Sequence, residues 1–136
     1  PIRDRMSRQE GVAAVEFAII LPVLALILFG VLEFGRVWSQ YQLFQGAARE
    51  GARCAAVAST SECDPATEVE AAAQPFEPGG NISVSLQGGS PRPDGCLPDD
   101  AGQDVLVSWE QPLHLNIPFW DNATVTPTIK AVFRCE

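Results

Sequence analysis

Four cysteines, one histidine, a cluster of aspartates and a lone glutamate inside an apolar run are the side chains of this chain with chemistry to offer. The cysteines are Cys54, Cys63, Cys96 and Cys135, and none forms a Cys-x-x-Cys pair, which argues against a zinc site. An even number of thiols, all after the apolar segment, fits two disulfides in an oxidising compartment. Three pairings are formally open. Cys54–Cys63 and Cys96–Cys135 are expected. The first would close a short loop through Ser59, Thr60 and Ser61. The second would tie a long, polar loop to the chain end.

His114 stands on the polar phase of an alternating strand pattern with no nucleophile signature beside it, so it reads as a solvent-facing side chain rather than a catalytic base. Asp94, Asp99, Asp100 and Asp104 supply the oxygen ligands calcium prefers, but not with EF-hand spacing, and they read as a solvated acidic loop. Asn81-Ile-Ser83 and Asn122-Ala-Thr124 fit the glycosylation sequon. There is no glycine-rich phosphate loop. We expect no catalytic residue, no metal site and no cofactor, and read the chain as not an enzyme. The formal net charge of −8, nearly all of it carried after Ser39, disfavours nucleic acid as a partner.

Glu16 is the odd residue. From Phe17 to Leu32 sixteen residues carry no charge, about 24 Å of helix. The run reaches the ~20 residues a membrane span needs once the segment from Val12 is included, with Glu16 its one interruption. A carboxylate near the bilayer centre costs about 2.5 kcal/mol or more, and less near the edge. It either reaches the inner headgroups or is held by a positive group from a neighbouring subunit. Arg3, Arg5 and Arg8 precede the span and place the N-terminus in the cytoplasm, with the C-terminal part outside. A cleaved secretory signal is rejected, because Glu33-Phe34-Gly35-Arg36-Val37-Trp38 continues a helical pattern that a cut would destroy. Pro22 inside the run predicts a bend or local loosening, since it lacks an N–H and crowds the carbonyl of Ala18.

The elements that position these residues follow from periodicity. Phe34, Val37, Tyr41, Phe44, Ala48, Gly51 and Ala55 recur at steps of three and four, and no proline stands between Val23 and Asp64. One helix is therefore expected from about Val12 to Val57, roughly 70 Å long. Gly46, Ala47 and Gly51 permit close approach of another backbone. Asp64-Pro65 reads as a helix start that Pro75 ends. Strand alternation appears at Ile82–Leu86, Val105–Trp109, Leu113–Ile117 and Ile129–Phe133, and Gln87 to Gly102 reads as a long loop. The fold class is α+β: a long N-terminal helix with a small antiparallel sheet of three or four strands at its outer end. The expected divisions are a leader-like segment 1–11, the transmembrane and extended helix 12–58, and an outer α+β domain 59–136. Glu33 and Arg36, three apart at the outer headgroup level, read either as a local surface pair or, as expected here, as a site where at least one of them contacts another subunit.

Gly11-Val-Ala-Ala-Val-Glu16-Phe17, Leu21-Pro22, Glu33-Phe34-Gly35-Arg36 and Ala47-Ala-Arg-Glu-Gly-Ala-Arg53 together resemble the TadE-like proteins, pilin-like subunits of the tight-adherence (Flp, type IVc) pilus system. The ending Ala131-Val-Phe-Arg134-Cys-Glu136 also looks like that family's last strand. The resemblance is dense from Gly11 to Val57 and thin between Ser59 and Thr124. It implies a minor pilin or pseudopilin of the bacterial inner membrane, single-pass with a periplasmic C-terminal domain, or extracellular in a filament once assembled. It implies cleavage between Gly11 and Val12 and a pairing of Glu16 with the new N-terminal amine of a neighbour, with Phe17, Pro22, Glu33 and Arg36 on the assembly helix. Its partners would be other pilin or pseudopilin subunits in a homo- or hetero-oligomer. The other function weighed is a monomeric membrane-anchored periplasmic binding module, which would gain nothing from a carboxylate at Glu16.

Overall fold

The computed structural model describes residues 2–58, 62–119 and 123–136, with residues 2–10 described as backbone. Ser59, Thr60 and Ser61 and Asn122 of the second sequon lie outside the described residues, as do the side chains of Arg3, Arg5 and Arg8. One helix, α1 (Ile2–Val57), runs 56 residues, about 84 Å. It begins ten residues before the expected start at Val12. Arg, Met, Gln and Glu in the first ten positions are good helix formers, and the single Gly11 costs too little to stop propagation. The helix also continues through Pro22.

α2 (Pro65–Ala73) follows the expected start signal: Asp64 is the N-cap, its carboxylate accepts from Ala66 N, and Pro65 occupies the first turn. Val69 and Ala73 are fully buried against α1. Gly51 makes that contact possible. A Cβ there would collide with the Val69 side chain and stand 3.2 Å from the Pro65 carbonyl oxygen. Ala47, Ala48, Ala52, Ala55 and Ala56 are buried on the same stretch, so these small residues pack within the chain, whereas Gly46 is exposed with open space around it.

Three strands form the main sheet in the order β1-β2-β5: β1 (Ser83–Leu86), β2 (Asp104–Glu110) and β5 (Thr128–Arg134), all antiparallel. The register places Val84 opposite Val107, and Val107 opposite Ala131. The alternating phase Val84, Leu86, Val105, Val107, Trp109, Ile129 and Ala131 is buried in one core with Phe44, Ala48, Ala52 and Ala55 of α1. Trp109 meets Phe44 edge to face, with ring centroids 6.4 Å apart. Its indole Nε1 donates to Gln111 Oε1 at 2.9 Å, which also accepts from Gly79 N at 2.8 Å, so the buried amide is satisfied.

The fourth expected strand left this sheet. Leu113–Leu115 (β3) pairs with Ala123–Val125 (β4) as a separate two-stranded hairpin. β4 is three residues long with one half-buried and two exposed positions, too short to show an alternation.

Both cysteine pairs are disulfides, Cys54–Cys63 and Cys96–Cys135, with Cα atoms 5.8 Å and 5.9 Å apart. The second bridge lies where the last carbonyls of α1 need donors. Cys96 N donates to Ala55 O at 2.8 Å and Glu136 N to Ala56 O at 3.2 Å. Gly95, at φ +91°, is part of the same approach: a Cβ would lie 2.8 Å from Ala55 O. The long loop is further held by Asp100, whose carboxylate accepts from Arg92 Nε at 2.7 Å, Arg92 Nη2 at 3.1 Å and Leu97 N at 2.9 Å. One aspartate of the acidic cluster is thus committed to an internal bidentate pair.

Two outcomes follow from this packing. Gly51→Leu should lower stability by about 1–3 kcal/mol, because the side chain has no space under α2; an unchanged thermal midpoint of the detergent-solubilised chain would contradict the close approach. The Arg92 guanidinium, and then the Leu97 N–H, hold the Asp100 carboxyl below its ordinary value of 3.8. A depressed folded-state value contributes stability above the unfolded value and loses it as pH falls through the folded one. The difference in melting temperature between the native chain and Asp100→Asn should therefore shrink on acidification from about pH 6 to about pH 3. A difference that stays constant with pH would show that this carboxylate is not linked to folding.

Candidate functional site: the uncovered half of the long helix

The head covers only the last part of α1. Phe44 and the small residues beyond it are buried, Val37 and Tyr41 are partly covered, and from Val12 to Phe34 the large apolar side chains are exposed. The segment Gly11–Val57 is long and apolar enough to cross a membrane, and none of its most apolar stretch is buried within the chain. Val12, Val15, Phe17, Ile19, Ile20, Val23 and Leu24 stand at 52–70% exposure, which leaves them to a medium or partner outside this chain.

Glu16 and Pro22 belong to this uncovered surface, and Gly11 and Val12 stand at its start. Among the described residues Glu16 has no ion pair or hydrogen bond, and Gly11 has open space around it, with nothing within 4 Å of a Cβ built there. The structure thus collects Gly11, Val12, Glu16, Phe17 and Pro22 on one exposed length of helix. That arrangement can associate through apolar contact and offers one carboxylate to a cation from elsewhere. Among the described residues no second titratable side chain is bonded to Glu16.

Glu33 and Arg36 stand apart from that set. They form the local pair, Arg36 Nε donating to Glu33 Oε2 at 3.0 Å. Both also reach the head. The Asn116 amide donates to Glu33 Oε1 at 2.7 Å, and Arg36 Nη2 donates to the His114 carbonyl oxygen at 2.8 Å. The pair therefore pins the end of β3 to α1. The sequence showed a local pair and suggested a partner in another subunit. It gave no sign of the backbone of residues 114–116, some 80 positions away, because backbone donors and acceptors have no sequence signature. His114 is exposed, with its ring Nδ1 3.1 Å from Thr124 Oγ1 across the hairpin.

Beside this pin, a cleft of about 560 Å³ opens between α1 and the β3–β4 connection. One wall is Leu26, Phe29, Gly30 and Phe34; the other is Leu115, Ile117, Pro118 and Phe119. Residues 115–119 carry no sequence signal that marks them as the wall of a cleft. Among the described residues no group of three or more His, Cys, Asp or Glu side chains is arranged to hold a metal ion.

No curated protein and no solved structure matches the chain. The ending from Ala131 to Glu136, which the sequence reading also likened to the family, lies outside the one family match. Residues 11–53, the length of α1 that holds the uncovered surface and the small-residue seat for α2, match the family of TadE-like proteins.

Proposed function

We propose that the chain is a pilin-like structural subunit of a tight-adherence type pilus system, which assembles with other pilin or pseudopilin subunits through the N-terminal half of α1. The observation that carries this reading is the combination on one helix of an uncovered apolar surface and, within it, a Glu16 that has no ion pair or hydrogen bond among the described residues. An anchor needs the apolar surface alone. A carboxylate about five residues into a span is a cost in lipid, and it becomes an asset when a neighbouring subunit brings a positive group to it. The TadE-like match covers the same length of helix and supports a pilus-associated role.

In this reading the chain starts in the bacterial inner membrane as a single-pass protein with its head in the periplasm, and moves into a filament on assembly. The two disulfides suit an oxidising compartment on the head's side. Cleavage between Gly11 and Val12 would create the amine that Glu16 of an adjacent subunit pairs with. Phe17 and Pro22 lie on the same assembly surface. Pro22 leaves the Ala18 carbonyl without its usual helical donor and so eases local adjustment of the helix on packing.

The test is the fate of Glu16 variants expressed in a pilus-bearing cell. Glu16→Ala should insert into the membrane at native levels and be reduced at least tenfold in the sheared pilus or pilin-complex fraction, with Glu16→Gln similarly reduced. Native incorporation of Glu16→Ala would remove the assembly role. Native incorporation of Glu16→Gln alone would show that the negative charge is not the feature recognised.

A further inference from the structure

The cleft beside Glu33 and Arg36 has an occupant fixed by its depth. Its helix wall runs from Leu26 to Phe34, residues of the apolar run and its outer border. Counting about 20 residues of span from Val12 sets the outer edge of the hydrocarbon near Val31. Leu26 then lies about 8 Å inside that edge. Counting instead from Phe17, to leave Glu16 out, moves the edge outward to Arg36 and puts the cleft deeper. The loop wall, Leu115 to Phe119, lines the same cleft, and so lies along a stretch of helix that under either count reaches from the headgroup border into the level of the acyl chains.

The loop's own chemistry agrees with that level. Ile117, Pro118 and Phe119 are consecutive apolar residues, all exposed, and Phe119 is 98% exposed at φ +70°, a conformation uncommon for a bulky residue. Three consecutive exposed apolar side chains would be a poor surface in water. The hydrogen bonds from Asn116 N to Glu33 and from Arg36 to His114 O fix the loop to the helix, and so fix how far it reaches along the bilayer normal.

We propose that the segment from Asn116 to Phe119, which follows β3, is a membrane-dipping loop. In the unassembled subunit Ile117, Pro118 and Phe119 insert into the outer edge of the same leaflet that α1 leaves, and an acyl chain fills the cleft between Phe119 and Phe29. Glu33 and Arg36 are the positioning residues that set its depth. The head is thereby held against the membrane surface at two places, the helix and the loop, instead of swinging on the helix alone. This rests on the reading of α1 as a membrane span.

The test uses the full chain at low density in vesicles of phosphatidylethanolamine and phosphatidylglycerol. The photoreactive residue p-benzoylphenylalanine replaces Phe119, Phe29 or Val132 in separate preparations, and adducts are read by mass. Lipid adducts at positions 119 and 29, with at least tenfold less at Val132 on the exposed face of β5, are the expected result. Adducts at 29 with none at 119 would overturn the dipping loop and leave the span intact. Absence of adducts at 29 would overturn the span and the loop with it. Crosslinks from 119 to a second copy of the chain in place of lipid would assign the cleft to a subunit contact and overturn the proposal. In the Glu33→Ala, Arg36→Ala double variant the adduct at 119 should fall several-fold while that at 29 stays unchanged. An unchanged yield at 119 would remove the positioning role.

Discussion

A single helix has to satisfy two environments, and the change from one to the other falls between Glu33 and Tyr41. Beyond that point Phe44, Ala47, Ala48, Gly51, Ala52, Ala55 and Ala56 make a narrow seat on which α2 and the sheet lie close to the helix axis. Before it the side chains are large, apolar and without cover. Small residues at the seat are what a helix needs if a compact head is to wrap it rather than hang beside it. The head is small, and its core is completed by a third of α1, so it has no apolar interior independent of the helix. Movement of the uncovered half is therefore transmitted to the head through continuous helix and not through a linker.

Two crosslinks finish the seat. The Cys54–Cys63 bridge sets the turn from α1 into α2, and the Cys96–Cys135 bridge holds together the two chain segments whose amides satisfy the carbonyls of Ala55 and Ala56. By chain-entropy reasoning a closure of the second size contributes roughly 4 kcal/mol, against about 2–3 for the short one. In a domain with so few large buried side chains, that is a substantial share of the total.

Much of this was legible in the residues because it depends on periodicity. The three-and-four spacing marked the buried face from Phe44 to Ala55, with Val37 and Tyr41 partly covered, although it began at Phe34, which the structure leaves exposed. The alternation at Val105–Trp109 and Ile129–Ala131 marked the sheet's inward phase, and Asp64-Pro65 marked the start of α2. What was not legible depends on backbone atoms or on short elements. The three residues of β4 are too few to show a pattern, and the helical course of residues 2–10 carries no apolar period. The contacts of Glu33 and Arg36 with residues 114–116 run through main-chain groups, which every sequence has. Gly51 could be read as a close-approach site, but not which element it would meet. The uncovered surface from Val12 to Phe34 is the reverse case. The sequence announces it by having more apolar helix than the remaining residues could cover, and the structure leaves it bare.

That bare surface, with a carboxylate set into it, is where an assembly role either holds or fails. A scan of single cysteines through positions 12–38, crosslinked in intact membranes of cells that carry the whole pilus system, addresses it most directly. The account predicts crosslinks to a second copy or to another pilin-like subunit, recurring with the three-to-four-residue period of one helix face and including positions next to Glu16. Uniform absence of protein crosslinks along the whole segment would contradict it and leave α1 as a membrane anchor.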